Sequence, residues 1–158
     1  NVNWLSNNAF LIVDNDDTAS KPNSKKHLRK QELQTILGKQ YYELGSREIE
    51  NLISLEILEK MLKKDNNIEL LTRKKYNTDQ WKSRFNQELL SNPSTYIGSC
   101  IDETYDLEKK YKSSTSGTIK QKAEFANKIC KEIESFNDLT DEAKKLTEKV
   151  AEFIIENN

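Results

Sequence analysis

Two groups of residues in this sequence have the types and spacing to do chemistry. The first is Asp14-Asn15-Asp16-Asp17, which directly follows the apolar run from Ala9 to Val13. A D-x-D pair at the carboxyl end of a strand puts two carboxylates into one polar mouth, where open α/β sheets bind ligands. Hard cations such as Mg²⁺ or Mn²⁺ take oxygen ligands of this kind. Two neighbouring carboxylates repel unless a cation or hydrogen bonds compensate. A plain turn is the alternative, since Asp and Asn bond their own backbone. The second group is Arg47-Glu48-Ile49-Glu50-Asn51, expected in the first turn of an apolar helix. Charge buried there is expensive unless it is paired or binds something. Glu48 and Glu50 lie about 200° apart on a regular helix and cannot both face one point from within it. One is expected to reach the Asp14/Asp16 mouth, and the other to pair with Arg47 or cap the helix. A solvated helix N-terminus is the bland alternative.

Several elements must position these groups. Ala9 to Val13 is apolar without alternation, which suits a central strand covered on both faces. After the turn signals Pro22 and Asn23, a helical stretch is expected through about Leu37, with Gly38 as its stop. Lys39 to Leu44 reads as a second short strand. Gly45-Ser46 then turns the chain. Ser46 suits an N-cap, with Glu48 in the first turn of a helix running to about Lys64. The apolar residues of that helix surround much of the wheel, so burial on more than one side is expected. A polar connection carries the basic cluster Arg73-Lys74-Lys75. Trp81 to Leu90 reads as a helix broken at Asn92-Pro93, residues 99–112 as another, and Ser113 to Gly117 as a flexible loop. Ile119, Ala123, Ala126, Cys130 and Ile133 form a stripe that predicts a helix from Thr118 to about Phe136. Thr140 caps a last helix, with Asp141 and Glu142 in its first turn. The expected organisation is an α/β core over 1–65, a helical insertion over 66–117 and closing helices over 118–158.

Composition bounds the rest. The 158 residues suit one domain or a large piece of one. Lys+Arg is 25 against 26 for Asp+Glu, which excludes a uniformly basic nucleic-acid coat and an acidic tail protein. Hydrophobic residues are only 35%, but they cluster, so a folded chain is expected. No apolar run is long enough to span a membrane, and no signal peptide is visible. Cys100, Cys130 and the lone His27 lack zinc-site spacing. Two reduced thiols, buried or half-buried, in a cytoplasmic protein are expected.

The strand ending Leu11-Ile12-Val13-Asp14-Asn15-Asp16-Asp17, followed about thirty residues later by Tyr41-Tyr42-Glu43-Leu44-Gly45-Ser46-Arg47-Glu48-Ile49-Glu50-Asn51-Leu52, resembles the TOPRIM domain of OLD-family (overcoming lysogenization defect) ATP-dependent nucleases. The resemblance implies a Rossmann-like, partly parallel α/β sheet with a largely helical C-terminal part. It implies a metal-dependent endonuclease, using Mg²⁺ or Mn²⁺ on nucleic acid, DNA before RNA, in bacterial anti-phage defence. It also implies an upstream ATPase domain, through which ATP would act, and a homo-oligomer. Asp14 and Asp16 correspond to the D-x-D metal ligands. Glu50, with Glu48 as the alternative, corresponds to the R-E-I-E-N acid that supports the metal. A lysine near the end of family members is best matched by Lys122 and next by Lys120. With Ile119 as zero at 100° per residue, Lys122 falls at about 300°, beside the stripe, and Lys120 at about 100°. A lysine at a stripe's edge can fold its stem along apolar surface and aim its head at a site; a surface lysine is the alternative. The family also carries a glutamate on a strand before the D-x-D strand. No Asp or Glu precedes Asp14, and there is no Walker A sequence. The sheet is therefore expected to be incomplete at its N-terminal strand, and the chain to be a C-terminal portion of a longer protein, inactive alone.

On that resemblance the chemistry is phosphodiester hydrolysis. Asp14 and Asp16 would hold a metal that polarises the phosphate and activates water. Glu50 or Glu48 would complete or orient the ligand set, and Lys122 would offset charge building on the phosphate. Residues 109–132 carry seven lysines against two glutamates, suited to phosphate-backbone contacts or simply to a solvated face. Two rivals stand beside this. One is a catalytically incomplete assembly or recognition module of a defence complex. The other is a response-regulator-like pocket accepting phosphate, against which the Arg47-to-Asn51 segment argues.

Overall fold

The computed structural model describes residues 9–15, 24–66 and 86–157. Strands β1 (Leu11–Val13) and β2 (Tyr41–Glu43) pair in parallel, with Leu11 opposite Tyr41 and Val13 opposite Glu43. Parallel neighbours need a crossover, and helix α1 (Lys25–Leu37) supplies it. Ser24 caps α1 by accepting the His27 N–H at 3.2 Å. Gly38, at φ +52°, ends it, in a region open mainly to glycine. The expected stop is thus where the sequence places it. The strand expectation needs correction. β1 is three residues long and not covered on both faces, since Ile12 is 37% exposed.

The single helix expected from Ser46 to Lys64 is two pieces. Ile49–Leu52 forms a 3₁₀ turn, Ile53 and Ser54 are extended, and helix α2 (Leu55–Asp65) begins only after Ser54, its N-cap. The break has a local cause. The Glu48 carboxylate accepts the Asn51 N–H while the Asn51 side chain accepts the Glu48 N–H, a reciprocal cap that starts a turn at Ile49. Ser46 caps nothing; its hydroxyl is buried without a hydrogen-bond partner among the described residues. Ile49, expected inside, is 49% exposed.

Helix α3 (Gln87–Ser91) is capped by Asn86 and ends at Asn92, as the Asn-Pro break predicts. Trp81, Phe85 and the Arg73-to-Lys75 cluster lie outside the described residues. Helix α4 (Ile97–Tyr105) replaces the expected 99–112. Asp106 takes a left-handed conformation, and the buried Asp102 carboxylate accepts the Tyr111 and Lys112 N–H groups at 3.0 and 2.8 Å, folding the chain back. Lys112 then bridges Ile119 in antiparallel fashion. That bridge makes Ile119 extended, so its spacing does not carry into the next helix. Helix α5 is Lys122–Cys130, not 118–136. Its buried residues are Phe125 and Ile129, whereas Ala123, Ala126 and Cys130 of the expected stripe are exposed. Thr140 caps helix α6 (Asp141–Glu156), as expected.

The fold of the described residues is therefore mixed α/β, a small parallel sheet beside helices. The main core joins Leu58 and Leu62 of α2, Leu90 of α3, Ile97 and Ile101 of α4, Tyr111, Ile119, and Phe125 and Ile129 of α5. It crosses the expected boundaries at 65/66 and 117/118. A smaller cluster of Leu44, Leu52 and Leu146, with Phe10 and Tyr42, sits under the sheet. No described helix is long and apolar enough to cross a membrane. Cys100 is half-buried, its thiol pushed up to about 11 by burial, and Cys130 is exposed.

Candidate functional site: two buried glutamates on one lysine

Glu48 and Glu50 are both buried, at 6% and 7% exposure. Their carboxylates meet at one ammonium. Lys122 Nζ lies 2.8 Å from Glu48 Oε2 and 3.1 Å from the Glu50 carboxylate. The regular-helix premise that kept them apart fails, because Glu48 is extended (φ −137°, ψ 162°) and Glu50 lies within a 3₁₀ turn. Neither glutamate pairs with Arg47. Its guanidinium donates to the Pro93 carbonyl at 3.1 Å and to the Tyr96 hydroxyl at 2.7 Å, and lies 3.8 Å from the Tyr96 ring centre.

The backbone that presents the pair is fixed by Asn51. Its amide nitrogen donates to the carbonyls of Leu90 (2.6 Å) and Thr95 (3.2 Å), tying the turn to the α3–α4 connection. Lys122 opens α5, which packs through Phe125 and Ile129 on the main core. Burial pulls the Lys122 ammonium down, but the hydrogen bonds it donates to Glu48 and Glu50 and their charges outweigh it, so the net direction is up from the ordinary lysine value. Two buried carboxylates against one ammonium leave an excess of negative charge. Its cost is met only in part by the Asn51 N–H on Glu48.

Asp14 stands elsewhere in the bonding pattern. It is exposed at the end of β1, and its carbonyl accepts from Lys30 Nζ at 2.7 Å. Lys30 is buried in α1 and also bridges Glu43 of β2 at 2.7 Å. Asp16 lies outside the described residues. Among the described residues no group of three or more His, Cys, Asp or Glu could hold a metal ion. Among the described residues both glutamates share a contact with Lys122, and Asp14 takes no part in it. Sequence reasoning missed Lys30 and Glu43, and it singled out Asn51 without its role in tying the turn to the α3–α4 connection. One signal for Lys30 existed: it lies seven residues before Leu37, hence on the same face of α1, and both are buried.

The lysine-rich stretch is largely engaged internally. Lys110 and Lys128 reach Asp65 at 3.3 and 2.7 Å, Lys128 also pairs with Glu124, and Lys120 donates to the Lys109 carbonyl at 3.1 Å. Burial raises the Asp65 carboxyl, but Lys128, Tyr111 and Lys110 override it and hold it down at about 2.

Comparison with protein-family models, with curated proteins and with solved structures gives no match to this chain.

Proposed function

We propose that this chain is the TOPRIM-like portion of an OLD-type ATP-dependent nuclease, a cytoplasmic, metal-dependent endonuclease acting on DNA in anti-phage defence. The observation that carries this reading is the meeting of Glu48, Glu50 and Lys122. These are the acids of the Arg47-to-Asn51 segment and the lysine matched to the family, 72 to 74 residues apart in sequence, and they share one point. The parallel pairing of β1 with β2, with Asp14 just past the end of β1, also supports it. In this reading Asp14, Asp16 and Glu50 would hold Mg²⁺ or Mn²⁺, with Glu48 beside them. The metal, when bound, supplies polarisation of the phosphate and activation of water. Excess carboxylate charge at the Glu48–Glu50 pair fits a hard cation. Lys122, half exposed, has the reach to turn its ammonium from the glutamates toward a phosphate oxygen and offset developing charge.

A second reading is an assembly or recognition module whose metal set is incomplete. It is favoured by the same lysine, which already partners both glutamates and would then act as a structural lock. Purified full-length protein incubated with supercoiled plasmid, Mg²⁺ or Mn²⁺ and ATP separates the two. The nuclease reading expects nicking or linearisation, abolished by Asp14→Ala and cut at least tenfold by Lys122→Gln. A wild-type protein that never cuts under these conditions sinks it.

A further inference from the structure

We infer that Arg47, stacked on Tyr96, is a binding group for a phosphate oxyanion. Charge balance is the first ground. Arg47 is half-buried, yet no carboxylate among the described residues forms an ion pair with it; the neighbouring Glu48 and Glu50 turn to Lys122 instead. A partly desolvated guanidinium whose protein partners are one carbonyl and one phenol keeps its full charge and further N–H donors for an anion. Arginine's planar fork matches phosphate oxygens in paired hydrogen bonds.

Preorganisation is the second ground. The guanidinium rests over the Tyr96 ring at 3.8 Å and is pinned by two hydrogen bonds, so its ordering does not oppose ligand binding. The ring itself is carried on fixed structure. Tyr96 is the first residue before α4, its carbonyl accepts the Cys100 N–H at 3.0 Å, and Gly117 packs beside its Cβ. Asn51 joins the Thr95 carbonyl to the Glu48 backbone, so the Arg47–Tyr96 stack and the glutamate pair are held as one unit. Tyr96 is still 39% exposed, which leaves the stack open to solvent.

The phosphate could belong to a nucleic-acid backbone or be a free phosphate. The nucleic-acid source rests on the nuclease reading above; the oxyanion site does not. Binding is therefore measured without chemistry. Full-length protein in EDTA is titrated into a fluorescein-labelled single-stranded oligonucleotide at several salt concentrations. In parallel, inorganic phosphate is titrated against the protein by calorimetry. Arg47→Gln is expected to weaken oligonucleotide affinity about tenfold and to reduce the salt dependence by about one phosphate contact. Tyr96→Phe, which keeps the stack, should cost about twofold, and Tyr96→Ala should approach the Arg47→Gln loss. Thermal melts identify any variant that fails to fold, and Tyr96→Phe keeps the comparison usable. A loss confined to the inorganic-phosphate arm supports the site and assigns it to free phosphate. Unchanged binding of Arg47→Gln in both arms overturns the inference. Failure of the nuclease reading is seen separately, as absence of plasmid cleavage.

Discussion

At the scale of single residues, Lys122 is the group on which most depends. Replacing it by Met keeps much of its stem but leaves Glu48 and Glu50 buried against each other. Exposed pairs contribute up to about 1 kcal/mol and breaking a buried pair costs roughly 3–5 kcal/mol. This ammonium is half exposed and the glutamates are not, so Lys122→Met is expected to destabilise by about 2 kcal/mol. The pH dependence follows from the raised folded value of the lysine. Its contribution is fully present below the unfolded lysine value of 10.5 and lost as pH rises through the higher folded one. Melting wild type and variant at pH 7 and above pH 11 should therefore show a gap that narrows on the alkaline side; a constant gap would remove the ion pair from the account. The site is legible in the sequence only in part. Lys122 is reached from the sequence through the family resemblance, and the wheel that supports it starts on Ile119, a residue of the bridge and not of α5. Glu48 and Glu50 stand out by type, but their convergence depends on backbone angles that a regular period does not contain. Glu43 gives no signal because its partner Lys30 lies on another element, and the Asp14 partner of Lys30 is a backbone carbonyl, to which side-chain spacing gives no clue.

At the scale of elements, some helix ends were legible, whereas the expected Ser46 cap is not made and the interruptions were not legible. Gly38 and Thr140 mark helix ends by local chemistry, and the structure places them there. The 3₁₀ turn arises from the reciprocal Glu48–Asn51 cap, which a regular helical period does not contain. The early end of α4 and the short α5 arise from contacts between distant segments, such as Asp102 with the backbone of residues 111 and 112. One of these contacts is tight enough to predict an outcome. A Cβ on Gly98 would stand 2.5 Å from the Thr118 carbonyl oxygen and 2.9 Å from that of Gly117. The Ser99 N–H donates to that same Gly117 carbonyl at 2.8 Å. Neither backbone group can swing away as a flexible side chain would. Ala favours a helix by about 0.5–1 kcal/mol over Gly, but displacing the 117–118 backbone costs typically 1–3 kcal/mol. Gly98→Ala is expected to destabilise by about 1–2 kcal/mol. It should also disturb the approach of Lys122, four residues beyond Thr118. Urea melts read the first effect; a stabilised variant would mean that α4 and the bridge are not packed this closely.

At the scale of the molecule, the apolar material is divided unequally, and the candidate chemistry lies on both sides of the division. The main core fastens α2 to α5 together and carries Lys122 on α5. The sheet that ends in Asp14 rests on the small cluster of Leu44, Leu52 and Leu146. A parallel sheet of two three-residue strands has little stability of its own, so its opening should be governed by that cluster. Local openings in weakly packed regions occur at lower free energy than global unfolding. The Leu44 N–H, which bonds the Val13 carbonyl at 3.0 Å, should therefore exchange with solvent well before that of Leu62, which lies in α2 within the main core. Equal exchange rates would show that sheet and core open as one. The same pair of amides also tests the metal at Asp14. A ligand that binds the folded sheet and not its opened form stabilises the sheet according to its concentration relative to its dissociation constant. Mg²⁺ held by Asp14 would slow the exchange of Leu44 and leave that of Leu62 unchanged, whereas a cation acting only at the Glu48–Glu50 pair would leave Leu44 as it was.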